Sequence, residues 1–150
     1  MRAWELCSVV LAALMAGMFL GPWAALSRSL DTFTPEVFLA IVNRMNRNMA
    51  PVMTVLMPAA MLSIIPVLIY SHGVAPRTFY FFLAGFVLFI VALLVTVVVE
   101  VPIVEKICTW TLATLPGDWQ QVRDRWQAFH VVRVVAGLVG LVFLLLGTIF

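Results

Sequence analysis

Charge is scarce in this chain: only 11% of its 150 residues are Asp, Glu, Lys or Arg, against about 25% in a soluble domain. With 64% of the chain hydrophobic, a soluble fold of this size lacks the polar residues to cover its own apolar surface. The solvent for most of that surface must be lipid. Histidine and cysteine are scarcer still, at two each. Two cysteines make no disulfide framework. Cys7 opens the first apolar segment and Cys108 lies in the last loop, so four crossings would put the sulfurs in opposite compartments. His72 and His130 fall at opposite membrane faces, which argues against a multi-histidine metal or haem site. There is no phosphate loop, no GxGxxG and no HExxH, so no cofactor is implied. A formal charge of only +2 leaves no basic footprint for nucleic acid.

What is present is apolar sequence in long runs. Four stretches, 6–26, 49–70, 79–99 and 131–150, reach the roughly 20 helical residues needed to cross about 30 Å of hydrocarbon. They are continuously apolar rather than alternating, which rules out membrane strands. The expected fold is all-α: a single-domain integral membrane four-helix bundle. The first run is longer than a signal-peptide core and is read as a retained helix.

The connections are unequal. Residues 71–78 form a short Pro- and Gly-marked turn. The first and third loops are long and belong on one side, with both termini on the other. Thr34-Pro35-Glu36 reads as a helix start, and Val37, Phe38, Ile41, Val42 and Met45 recur at helical spacing, so an interfacial helix is expected over about 35–46. Pro116-Gly117 breaks the chain and Asp118 can cap a helix over about 118–130, running on into the fourth span. The long-loop side holds Arg28, Arg44, Arg47, Lys106, Arg123, Arg125 and Arg133; the other holds Arg2 and Arg77. The positive-inside rule then places a multi-pass protein in the cell membrane with long loops cytoplasmic and termini outside.

The unusual polar residues also gather at the long-loop end. Trp119, Arg123, Trp126, His130 and Arg133 are spaced 4, 3, 4 and 3 and fall in one stripe at about 100° per residue. One reading is a polar pocket with His130 as general acid/base and Arg123 and Arg133 holding an anionic oxygen. The other is an aromatic belt with snorkelling arginines. Glu100 closes the third span, where a carboxylate needs a partner; Arg123, Arg133 and His130 are the candidates, for a pocket or for a structural tie. Asn43, Arg44, Asn46, Arg47 and Asn48 could bind a carbonyl or phenol, or simply face lipid phosphates. Met45, Met49, Met53, Met57 and Met61 recur every fourth residue. No Cys or His accompanies them within the helix, so they read as adaptable packing beside Pro51, Pro58 and Pro66. Gly17 with Gly21, and Ala136 with Gly137 and Gly140, thin two helix faces and could serve close helix contact, including contact between copies of the chain.

The string Glu100-Val101-Pro102-Ile103, then Trp110, Pro116-Gly117-Asp118-Trp119, Arg123-Asp124-Arg125-Trp126, Phe129-His130 and Arg133 resembles the anthrone oxygenase-like family of small four-helix membrane proteins. Gly21-Pro22 and Val42-Asn43-Arg44 fit as well. Some fungal members take part in oxidising anthrones to anthraquinones without a dedicated metal or flavin. Members often carry Asn-x-Pro-x-Asn after the third helix, where this chain has Glu100 and Val104. The resemblance implies cofactor-independent oxidation of a lipophilic phenolic or anthrone-type substrate arriving from lipid. His130 would take a proton, Arg123 or Arg133 would stabilise the enolate, and Trp119, Trp126, Asn43 and Arg44 would line the binding site. The competing expectation is a non-catalytic scaffold binding membrane lipid or a partner helix. It predicts the same polar groups tied up pairwise, with no cavity.

Overall fold

Proline opens two of the long helices, where its missing N–H would have no helical partner anyway. Pro35 starts α2 (Pro35–Ser71), Pro76 starts α3 (Pro76–Val95), and Pro102 is the second residue of α4 (Val101–Cys108). The computed structural model describes residues 1–150. Its other elements are α1 (Arg2–Ala25), a 3₁₀ segment (Ser27–Thr32), a π-helical turn (Thr96–Glu100) between α3 and α4, and α5 (Trp119–Ile149). The chain is all-helical, with four helices long and apolar enough to cross a membrane.

Two expectations about the connections are corrected. A separate interfacial helix over 35–46 does not form: α2 is one helix of 37 residues, about 55 Å long at ~1.5 Å per residue. The polar run 43–48 contains no glycine or proline to break it. Pro51, Pro58 and Pro66 are accommodated inside the helix. The third loop is also shorter than expected, because α3 continues through the π turn into α4 and only 109–118 remain outside helix. The wide turn closes where the Val101 N–H bonds to the Thr96 carbonyl, one residue before Pro102, whose ring cannot sit in an undisturbed helix interior. The expected extension over 118–130 does run unbroken into α5. Asp118 occupies its N-cap position with its backbone only: its carbonyl accepts from Gln121 and Val122 N–H, and its side chain caps nothing.

Glycine sets the closest helix contact. A Cβ on Gly85 of α3 would lie 2.8 Å from a Leu144 methyl and 2.9 Å from the Gly140 carbonyl of α5, and one on Gly147 would lie 2.6 Å from the Phe82 ring. Gly137 receives the ring of Phe19 from α1 in the same way. The small face of α5 is therefore spent inside the chain, whereas Gly17 and Gly21 on α1 meet nothing. At the far end of the bundle from Glu100, the Ser8 hydroxyl lies 2.8 Å from the Ser63 carbonyl and 2.7 Å from the Trp4 carbonyl, tying α1 to α2.

Apolar burial falls into two groups. The main core runs along the bundle through Met15, Phe19, Ile64, Phe82, Phe89 and Leu144. A second, smaller core forms where α2 and α5 overshoot the hydrocarbon length. There Leu30, Phe38, Val42, Ile107 and Trp126 pack together, flanked by Trp110 and Trp119. The outer surface is apolar, with Val55, Leu62, Ile69 and Ile149 all more than half exposed, as lipid solvation requires.

Candidate functional site

Between the two cores lies a cavity of about 370 Å³, within the range that holds a small lipophilic ligand. Phe19 and Met57 reach it from the main core, Val42 and Trp126 from the second. Thioethers make much of its wall: Met45, Met49, Met53 and Met57 descend one side of α2, and Met18 faces them from α1. The every-fourth-residue spacing thus lines a cavity rather than only filling gaps around the prolines. Met61, one turn further, packs on the main core instead.

The cavity is not sealed. Several of its lining residues, Asn46, Ala50, Thr54 and Pro58 on α2 and Val97 and Val101 across from them, are themselves exposed. It therefore opens sideways between α2 and the stretch joining α3 to α4. Thr54 and Pro58 lie well inside the apolar span of α2.

Three ionisable side chains meet on its inner wall. Glu100, at the end of the π turn, is 2% exposed, and His130 on α5 is 4% exposed. Arg133, one turn beyond His130, places Nη1 2.5 Å from Glu100 Oε2 and Nη2 2.8 Å from His130 Nδ1. His130 Nδ1 is 3.5 Å from Glu100 Oε1. The guanidinium also donates to the Thr96 hydroxyl at 3.3 Å and sits 4.6 Å over the Phe19 ring. It is thereby held by α1, the π turn and α5 at once.

Several polar atoms remain unused. Arg133 Nη1 engages Glu100 Oε2 in a close ion pair, whereas Glu100 Oε1, His130 Nε2 and Arg133 Nε are buried without a hydrogen-bond partner. Glu100 Oε1 therefore keeps accepting capacity. Orphaned buried polar atoms cost about 1–3 kcal/mol each, so a ligand bringing both a donor and an acceptor would be welcome here. Elsewhere, no three His, Cys, Asp or Glu side chains gather as metal ligands do.

The five-residue stripe on α5 divides by depth. Trp126, His130 and Arg133 reach the cavity. Trp119 and Arg123 do not: Trp119 stacks on Phe38 at 5.4 Å, and buried Arg123 pairs with Asp124 at 2.8 Å while lying over Trp119. Asn43 and Arg44 are also away from it. The Asn43 amide donates back to the Leu39 carbonyl at 2.8 Å, and Arg44 borders a separate shallow depression. Asn46 lines the cavity, with its amide 3.8 Å from Cys108 Sγ. Residues the sequence did not single out as site residues are Phe19, Thr96 and the methionine wall.

No curated protein and no solved structure matches the chain. The family model described as anthrone oxygenase matches residues 38–143, a segment that contains Glu100, Trp126, His130, Arg133 and the methionines of α2. That match covers most of the chain, and the protein belongs to the anthrone oxygenase family.

Proposed function

We propose that the protein oxidises a membrane-dissolved anthrone or related phenolic ring compound inside this cavity, with dioxygen as oxidant and without a dedicated cofactor. One observation carries the reading: a laterally open apolar cavity ends on a buried Glu100–Arg133–His130 cluster with unused hydrogen-bonding atoms. The scaffold reading expects the same polar groups tied up pairwise, with no cavity. The substrate would slide in between α2 and the α3–α4 stretch, lay its rings on the thioether wall, and turn its oxygen toward the cluster. Sulfur–aromatic contacts of about 0.3–1.5 kcal/mol each suit flat rings of varied outline.

The overall chemistry balances without another reductant. A ring CH₂ loses a proton, the resulting enolate gives its electron pair to O₂, and the peroxide so formed loses water to leave a second carbonyl. One anthrone and one O₂ yield one anthraquinone and one water. Arg133 supplies fixed positive charge beside the developing enolate, in a site too dry to weaken it. In the proposed orientation the cavity end lies near the cytoplasmic face, where the arginine-rich loops are retained.

Oxygen uptake by the purified protein in detergent, with an anthrone as substrate, tests the reading. The wild type is expected to exceed the uncatalysed rate, and Arg133→Ala and His130→Ala to lose the excess. A folded wild type with no excess would leave the lipid- or partner-binding role as the better account.

A further inference from the structure

We propose that Glu100 is the group that takes the substrate's proton, and that His130 serves as a hydrogen-bond donor to the substrate oxygen. This reverses the role expected for the histidine, and it rests on the oxidation proposed above. A guanidinium has only donors. With Arg133 Nη2 2.8 Å from His130 Nδ1, Nδ1 must accept, so the ring is neutral and its one proton sits on Nε2. Neither ring nitrogen then has a lone pair to offer. Nε2 is instead a buried N–H with no partner, on a ring that lines the cavity.

Glu100 is placed in the opposite way. Its carboxylate has acceptors only; Oε2 is paired with Arg133, Oε1 has no hydrogen-bond partner, and the residue lines the same cavity. The charge count favours it too. Before the reaction the cavity holds Glu100 anionic and Arg133 cationic. If Glu100 takes the proton, the negative charge moves to the enolate and Arg133 remains its partner; one ion pair exists throughout. If His130 took it, a second ion pair would be created at a site where Glu100 is 2% exposed, and a buried ion costs several kcal/mol. His130 would also have to break its bond with Arg133 first.

The step is a simple transfer. The ring C–H bond breaks, its electron pair passes into the carbonyl oxygen as an enolate, and an O–H bond forms on Glu100. His130 Nε2–H and Arg133 Nε–H then have an anionic oxygen to donate to. After O₂ accepts the pair, Glu100 returns the proton to the peroxide, and loss of water completes the turnover.

Deuterium exchange at the anthrone ring CH₂, measured without oxygen in heavy water, isolates this step from the oxidation. Wild type is expected to speed exchange above the protein-free rate. Glu100→Gln should cut the enzymatic rate by about 100-fold or more, the usual scale for a lost general base. His130→Gln keeps an N–H near the position of Nε2 but has no basic nitrogen, and should retain exchange within about tenfold. Binding of an anthraquinone, read by quenching of tryptophan fluorescence, checks that each variant still holds ligand. Should Glu100→Gln fail to fold with Arg133 left unpaired, the Glu100→Gln/Arg133→Gln pair removes both charges and should likewise give no exchange. Exchange that survives loss of the carboxylate but vanishes in His130→Gln would overturn the assignment while leaving the oxidation intact. A wild type that neither exchanges nor consumes oxygen would instead remove the oxidation on which it rests.

Discussion

Replacing Arg133 by Met, which keeps an unbranched flexible stem and removes the guanidinium and its charge, isolates the energetics of the cluster. Glu100 would then be a buried carboxylate with no cation, its nearest charged neighbour at 2.5 Å gone and its oxygens without aligned donors. Breaking a buried ion pair from one side costs about 3–5 kcal/mol. Loss of the guanidinium over Phe19 at 4.6 Å adds about 0.5–2 kcal/mol. The single variant should therefore lose about 3.5–7 kcal/mol. Glu100→Leu/Arg133→Met should recover most of the ion-pair part, because an apolar pair of similar size is often neutral or better at such a site. Reversible unfolding of the four proteins of this cycle in mixed micelles, followed by circular dichroism, gives the coupling directly. A single variant costing under about 1 kcal/mol, or a double variant as unstable as the single, would refute the view that Arg133 is there to balance Glu100.

Two other perturbations separate substrate access from packing. Ala50→Phe and Val97→Phe, at exposed positions beside the lateral opening, should raise KM for an anthrone several-fold in steady-state oxygen uptake with stability changed by no more than about 0.5 kcal/mol. Gly147→Val should destabilise the bundle by about 1–3 kcal/mol through overpacking against Phe82, whereas Gly21→Ala, facing open space within α1, should not lower the unfolding midpoint and should raise it slightly through helix propensity.

Much of the fold is legible in the chain because lipid is an undemanding solvent to read: each crossing must be long, apolar and helical. The limits of the helices are less legible. The run of asparagines and arginines at 43–48 looks like an interfacial turn, yet nothing in it breaks a helix, and α2 passes straight through. The site was half visible for a related reason. Spacing reveals which face of α5 points inward, and all five residues of the stripe do point inward to some degree. It says nothing about depth, so it cannot separate Trp126, His130 and Arg133, which meet the cavity, from Trp119, which packs beside the second core, and Arg123, which lies over Trp119. Asn43 and Arg44 illustrate the same gap one turn along α2 from Asn46. The methionine period was plain, but whether a thioether fills a gap or borders one depends on what stands opposite. That is a property of four helices together, not of one.

The thioether wall also exposes the protein to its own chemistry. Met18, Met45, Met49, Met53 and Met57 border the space where a peroxide would form, and a thioether readily takes an oxygen atom from a peroxide to become a polar sulfoxide. Each turnover that fails to finish would leave a mark on the surrounding side chains and make the cavity less hospitable to an apolar ring. If the proposed oxidation holds, the wall would be at once the surface that admits the substrate and a cumulative record of misfired reactions, and the protein would have a working lifetime counted in turnovers rather than in hours.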